Sequence, residues 1–319
     1  MENSKCMYNS KLFDIEKNIY LSVKNYSRKI IIKQHISVSD INLLMQKILD
    51  EHPELFYFDK WNCVVSANRV QVEPIYLFDK KDIKKVYEDC DRQIKNILSK
   101  VVNLSKIEQI KLVHDILIRN ISYYNLEDLY IYHSIVGPLI YRKAVCDGYS
   151  RLYKLLLDRL GFPCIVVRGR GFNKSLIDSE SHLWNMINYQ GKWYHIDVTY
   201  DHALSLHNYI RYDYFLVDDS VISIDHYYNK QVTPKSYDDS MNPYYIEPSF
   251  SKEADIIACI CNKISLKKTD FILRVDSLSG NVDEILNSCI NVALNRCNYN
   301  NEVEYYYNPS RKIVHIRIL

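Results

Sequence analysis

Residues 146–160 read CDGYSRLYKLLLDRL, and the order of elements around this stretch decides the fold. Leu152, Tyr153, Leu155, Leu156, Leu157 and Leu160 wrap most of the circumference of a helix, so a centrally buried helix is expected here. Gly161 and Pro163 mark its end. Three strand candidates follow, Cys164 to Arg168, His182 to Tyr189 and Lys192 to Thr199. A helix succeeded by strands that fold back on one another is an α+β arrangement.

Upstream, Ile83, Val86, Tyr87, Cys90, Ile94, Ile97, Leu98 and Val101 form one helical stripe over 82–101. Ser105 with Glu108 is a capping-box signature that opens a second helix to about Ile121. The stretch from Tyr123 to Ala144 has no regular period and is expected to be an irregular loop. Gly169-Arg-Gly171 lacks the Gly-Lys-Ser/Thr of a phosphate loop and reads as a flexible connection leading to His182.

The chain ends share a different plan. Residues 19–26 alternate in character and read as a strand. Ser39 or Asp40 then opens a helix carrying Ile41, Leu44, Met45, Ile48 and Leu49, which Pro53 stops. Strand-like runs follow near 55–58 and 70–77. The C-terminal residues repeat this order with a strand at 271–275, a helix from Val282 to about Arg296, and strands near 303–307 and 313–318. Two small α+β modules of comparable plan, a diverged repeat or a common motif, are therefore expected at 1–78 and 251–319, on either side of a core at 79–250.

Composition narrows the class. The 319 residues, 47% hydrophobic and 25% charged, suit a folded globular chain with a sizeable core. Lys+Arg 41 against Asp+Glu 39 is too balanced for the electrostatic footprint of a nucleic-acid binder. The longest apolar runs fall far short of the ~20 residues of a membrane span. The N-terminus shows no apolar signal region, so a cytoplasmic protein is expected. Nine cysteines, an odd number without paired spacing, argue for reduced thiols. Cys259-x-Cys261 has no second Cys/His pair at zinc-finger spacing.

A cysteine in the first turn of a buried helix is placed to be a nucleophile, because unpaired N–H groups and the positive dipole end favour thiolate over thiol. Taken alone, Cys146 is more simply one packed thiol among nine. The strands alter that balance. A two-residue turn at Gln190-Gly191 would pair Tyr189 with Lys192, hence His182 with Thr199 and Trp184 with Asp197. His182 and Asp197 then become diagonal neighbours on one face, within side-chain reach. A carboxylate on one imidazole nitrogen fixes the tautomer and leaves the other nitrogen for the thiol proton. His195 would share that face, so a metal site of His182, His195, Asp197 and Cys146 is the competing reading. Trp184 and Trp193 read as core or groove wall.

Three blocks, Ala144-Val-Cys-Asp-Gly-Tyr-Ser150, Ser181-His-Leu-Trp-Asn185 and Lys192-Trp-Tyr-His-Ile-Asp-Val-Thr-Tyr-Asp201, resemble in order and spacing the catalytic blocks of the transglutaminase-like superfamily, which is papain-related. The resemblance covers roughly residues 105–245, including Tyr214 to Val217 and Asp225-His226. It implies that Cys146 is the nucleophile, His182 the general base and acid, and Asp197 the carboxylate that orients the histidine. It further implies a nucleophile helix packed on an antiparallel sheet, and an oxyanion hole built from the nucleophile's own N–H and an upstream donor, Tyr141 or His133 being the residues at hand.

The expected activity is cysteine-dependent acyl transfer on an amide or peptide bond of a peptide or protein substrate, through a thioester, needing no cofactor and no metal. The resemblance leans towards hydrolysis, as in a protease or amidase. A cross-linking transglutaminase is the alternative enzyme, and a non-catalytic peptide-binding scaffold the alternative of another class. Oligomeric state is left open.

Overall fold

The computed structural model describes residues 2–319 except 35, 67–68, 125–128, 173–178, 206–208, 277, 301 and 310, with side chains from residue 12 onward apart from that of residue 246. It begins with a helix, α1 (Glu2–Lys24), where a strand is expected from 19–26. Ile15, Ile19 and Val23 are buried, and their four-residue spacing is one face of a helix. The alternation within 19–23 alone also satisfies a strand, and Ile15 breaks the tie. Strand β1 (Ile30–Ile32) and helix α2 (Val38–Glu51) follow. The Ser37 side chain caps α2 by accepting from the Asp40 N–H. Strands β2 (Phe58–Ser66) and β3 (Arg69–Tyr76) complete an antiparallel sheet of order β1-β3-β2.

Helices α3 (Lys80–Val101) and α4 (Lys106–Asn120) lie where the stripe and the Ser105/Glu108 capping box place them. Strand β4 (Ser122–Tyr123) pairs in parallel with β5 (Lys143–Ala144). Between these two, among the described residues, the stretch expected to be irregular holds a 3₁₀ turn at Tyr130–His133 and a π-type turn at Gly137–Tyr141. Helix α5 (Cys146–Arg159) is buried along nearly its whole length, and it packs on strands β6 (Cys164–Phe172) and β7 (Ser179–Tyr189).

The central sheet is completed by β8 (Lys192–Ile196), helix α6 (Val198–Leu204), β9 (Phe215–Val217), helix α7 (Asp219–Ile222) and β10 (His226–Tyr228). Its order is β10-β6-β7-β8-β9, antiparallel throughout. Tyr189 does pair with Lys192, and the positive φ of both Gln190 and Gly191 is that of the primed turn whose twist matches a hairpin.

Two expectations for this sheet are corrected. Strand β8 ends at Ile196, because Asp197 caps α6 by accepting from Thr199 and Tyr200 N–H groups. Thr199 is therefore helical, and Gly169 is the residue opposite His182. Nor is Gly169-Arg-Gly171 a flexible connection, since β6 runs through it. A Cβ at Gly169 would meet the Tyr227 carbonyl at 2.3 Å, and one at Gly171 the Tyr200 hydroxyl at 2.3 Å. The glycines serve close approach within a strand.

The C-terminal unit comprises β11 (Ser249–Phe250), α8 (Glu253–Ser265), β12 (Asp270–Val275), α9 (Val282–Arg296), β13 (Val303–Asn308) and β14 (Ile313–Ile318). Its series α8-β12-α9-β13-β14 and the strand order β12-β14-β13 repeat the series α1-β1-α2-β2-β3 and the order β1-β3-β2. Helix α8 is an addition to the expected elements, and Ile256, Ile257, Ile260 and Ile264 bury its one apolar face.

The two units attach differently. One apolar cluster runs from Ile15, Ile41 and Met45 through Leu117, Tyr149 and Leu156 to Ile196 and Phe215. The C-terminal unit buries a cluster of its own, from Ile256 to Ile318. It meets the core through Tyr244, Ile272 and Ile313 and through a buried hydrogen bond of 2.6 Å from Asn308 Nδ2 to Asp213 Oδ1. Among the described residues, no helix is long and apolar enough to cross a membrane.

Candidate active site

Cys146 is the first residue of α5, behind Val145, whose side chain makes no capping bond. The N–H groups of the first turn have no carbonyl four residues back within the helix, and they concentrate partial positive charge at the helix end where Cys146 stands. The residue is 8% exposed. Its Sγ stands 3.5 Å from Asp147 Oδ1 and also engages the His182 ring. With one proton to give, the neutral thiol can turn to either.

His182, on β7, donates from Nε2 to Asp197 Oδ2 at 2.6 Å, which leaves Nδ1 for the thiol. Asp197 is wholly buried at the end of β8, and its Oδ1 accepts from Thr199 and Tyr200 N–H at 2.9 and 3.0 Å. The same carboxylate thus caps α6 and fixes the imidazole. Burial disfavours the charged form of His182, but the charge and hydrogen bond of Asp197, with Cys146 adding to them, outweigh it and hold the ring at about 9. Burial likewise pushes Asp197 upward, and His182 and His226 reverse this, holding the carboxyl well below the usual carboxylate range.

The three residues singled out in the sequence are therefore together, whereas His195 is not with them. Its Nδ1 accepts from Trp184 Nε1 at 3.0 Å, and its Nε2 faces Asp219 Oδ1 at 3.0 Å, so the metal set built on His195 has no geometric basis. His182, Asp197 and His226 do bring potential donor atoms within 4.8 Å of one another. The contacts of 2.6 and 2.9 Å that link them are hydrogen-bond lengths, and ionised carboxylates take them up.

Three groups were missed in the sequence. His226 is the first, its Nε2 2.9 Å from Asp197 Oδ2 and its Nδ1 2.6 Å from Asp225 Oδ1. Asp225-His226 stood inside the resembling segment, but its register against β6 is not readable from local pattern. The second is the charge network behind Asp147. Arg151 Nη2 lies 3.6 Å and His133 Nδ1 3.5 Å from Asp147 Oδ2, while Arg151 Nη1 donates to the His133 carbonyl at 2.8 Å. Burial would raise the Asp147 carboxyl, and the His133 hydrogen bond, with Arg151 and Arg168, instead holds it well below its ordinary value.

Tyr123 and Tyr200 are the third. They line a cleft of about 660 Å³ beside His182, together with Ser122, Phe172, Glu180 and His202. Burial and the nearby Cys146 raise the Tyr123 phenol. Neither residue considered for the oxyanion hole is in that lining. His133 is engaged with Asp147, and Tyr141 is half exposed, edge-on to Tyr132.

Residues 95–198 match the transglutaminase-like superfamily, and this part of the chain is a transglutaminase-like domain. No curated protein matches the sequence. Among solved structures, a TGase is similar over 54% of this chain and 50% of its own, at 14% identity and a TM-score of 0.31. The chain thus spans half the length of that relative. A candidate cysteine protease from Cytophaga hutchinsonii is similar over 57% of this chain and 80% of its own, at 14% identity and a TM-score of 0.30. For a candidate protease from Parabacteroides distasonis the figures are 43%, 35%, 13% and 0.27.

Proposed function

We propose that the chain is a cysteine-dependent hydrolase of amide or peptide bonds, with Cys146 as nucleophile, His182 as general base and acid, and Asp197 as its orienting carboxylate. The observation that carries this reading is the 2.6 Å bond from His182 Nε2 to Asp197 Oδ2, made by a ring on which Cys146, at a helix N-terminus, also acts. The Cys146 thiolate attacks the substrate carbonyl carbon, and the first-turn N–H groups of α5 favour the developing oxyanion. The C–N bond then breaks, and His182 gives its proton to the departing amine. Water, deprotonated by His182, cleaves the thioester and returns the thiol. Glu180 and Ser181 at the cleft are exposed, which gives water a route in and favours hydrolysis over transfer to an amine.

Iodoacetamide labelling near neutral pH, mapped by mass spectrometry, tests the nucleophile. Burial raises the thiols of Cys63, Cys90, Cys164, Cys259, Cys289 and Cys297, so Cys146 should react well before them. Cys146→Ala should abolish release of an amine or ammonia from a peptide or glutamine substrate. Uniform labelling, or full activity of the alanine variant, would overturn the reading, and product formed only with an added primary amine would favour a transglutaminase.

A further inference from the structure

We propose that Asp225 and His226 are a positioning pair: His226 is a fixed cation behind Asp197, and it sets the pH range in which Cys146 and His182 work. The inference rests on the catalytic reading above and concerns residues beyond the segment that matches the superfamily, 95–198.

Both ring nitrogens of His226 face carboxylate oxygens, Nε2 at 2.9 Å from Asp197 Oδ2 and Nδ1 at 2.6 Å from Asp225 Oδ1. An ionised carboxylate only accepts, so each contact needs an N–H, and an imidazole with two N–H groups is an imidazolium. Asp225 is anchored in turn, its Oδ2 accepting from the Tyr214 hydroxyl. His226 is 3% exposed and walled by Tyr200, Trp184 and Tyr214, with ring centroids at 4.5, 4.9 and 5.5 Å. Among the described residues, the titratable groups facing it are thus Asp197, Asp225, His182, Tyr200 and Tyr214. Beyond Trp184 lies His195, on which the His226 charge also acts. Opposite it on β6 is Gly171, which contributes no charge. Burial alone would strip the proton from His226, but its two carboxylate partners hold it at about 9.

The consequence for catalysis follows from a shared atom. Asp197 Oδ2 serves both His182 and His226. A lone buried aspartate would hold the His182 proton so firmly that the imidazolium became a poor acid towards the leaving amine. A second cation on the same oxygen weakens that hold. Two like charges with ring centroids 5.5 Å apart displace a titration by about one to two pH units in a partly polar interior.

The test compares wild type, His226→Gln and Asp225→Asn. Three readouts are the pH dependence of Cys146 alkylation, the pH profile of turnover, and thermal denaturation. Glutamine keeps a donor to Asp197 but not the charge, so both limbs of the profile should move to higher pH by about one unit or more. Asp225→Asn, which removes the reason for the second proton, should move them the same way. Histidine ¹⁵N NMR on the wild type should show His226 with both nitrogens protonated at pH 7.5, whether or not either variant folds. Unmoved limbs with a lowered Tm would make the pair purely structural, and a neutral His226 at pH 7.5 would overturn the inference outright. If instead Cys146 labels no faster than other thiols, the catalytic reading fails, and the NMR result still stands separately.

Discussion

Asp50 and Arg151, 101 positions apart in sequence, form a buried ion pair of 3.1 Å that ties α2 to the helix carrying Cys146. The same carboxylate accepts from Arg168 Nη2 on β6 at 2.8 Å. Arg151 in turn reaches Asp147, the neighbour of the thiol. The N-terminal unit therefore contributes a charged group to the surroundings of Cys146 without lining the cleft beside His182.

Removing that carboxylate should be costly. Asp50→Ala leaves Arg151, with a side chain 8% exposed, short of a partner, and breaking one side of a buried pair costs about 3–5 kcal/mol. Arg168, one third exposed, can recover hydration. The urea midpoint should fall accordingly, and Asp50→Ala with Arg151→Met should regain part of the loss. An unchanged midpoint in the single variant would show that the pair contributes nothing net.

Asp197→Asn should keep the fold and lose turnover. Asparagine caps a helix as well as aspartate does, so its Oδ1 can still accept from Thr199 and Tyr200. Its amide nitrogen then confronts two imidazole donors, and His182 is driven towards the wrong tautomer. Turnover should drop by up to ~10⁴, as when the aspartate of a serine triad is replaced. Steady-state kinetics beside circular dichroism would check this, and a variant with full activity would reduce the group to a Cys-His pair.

Gly171→Ala tests the close approach behind the imidazole. The new Cβ would stand 2.3 Å from the Tyr200 hydroxyl and 3.3 Å from His182 Cγ, so tyrosine or imidazole must shift. A displacement of that size should lower kcat roughly ten- to a hundredfold, while the strand, still paired on both sides, persists. Turnover and Tm measured together separate the two effects.

Stability should fall on the alkaline side. His182 and His226 are raised from 6.5 to about 9 in the folded chain, so each binds its proton more tightly there than when unfolded. Their contribution is complete below about pH 6.5 and is lost as pH rises through about 9, amounting to about 3 kcal/mol per histidine at most and less for the pair, which shares Asp197. Asp147 and Asp197, held low, act oppositely, stabilising above about pH 4 and failing as acid protonates them. Urea unfolding at pH 6, 7.5 and 9 should show the alkaline loss in wild type and a smaller one in His226→Gln.

Local pattern carried much of this architecture. The leucine run of α5, the Ser105/Glu108 box and the Gln190-Gly191 turn each state a local geometry, and the turn brings His182 near Asp197. What failed was whatever depends on partners far along the chain. Residues 19–23 suit two periods until Ile15 is included. Asp197 lies in a strand pattern but stops the strand, because its carboxylate finds N–H groups ahead of it. Gly169 and Gly171 look like punctuation until Tyr227 and Tyr200 are seen against them. His226 reaches Asp197 only through the pairing of β10 with β6, and Asp50 reaches Arg151 only through packing of α2.

The two end units share one plan but stand on different ground, and cooperativity follows from that. Opening β1–β3 would expose the apolar cluster that also lies beneath α5, so amides there should exchange with solvent hydrogen only through near-global unfolding. The strands β12–β14 cover a cluster of their own. Among the described residues they join the rest through the Tyr244, Ile272 and Ile313 contact, the Asn308–Asp213 bond, Tyr209 stacked on His315, the Arg311–Asp239 ion pair and Arg211 and Arg274 against tyrosine rings, none of which extends the apolar cluster beneath α5. Their amides should exchange through a cheaper, sub-global opening that leaves α5 protected. The chain should thus open as two foldons, one holding both the N-terminal unit and the cysteine helix and the other the C-terminal strands.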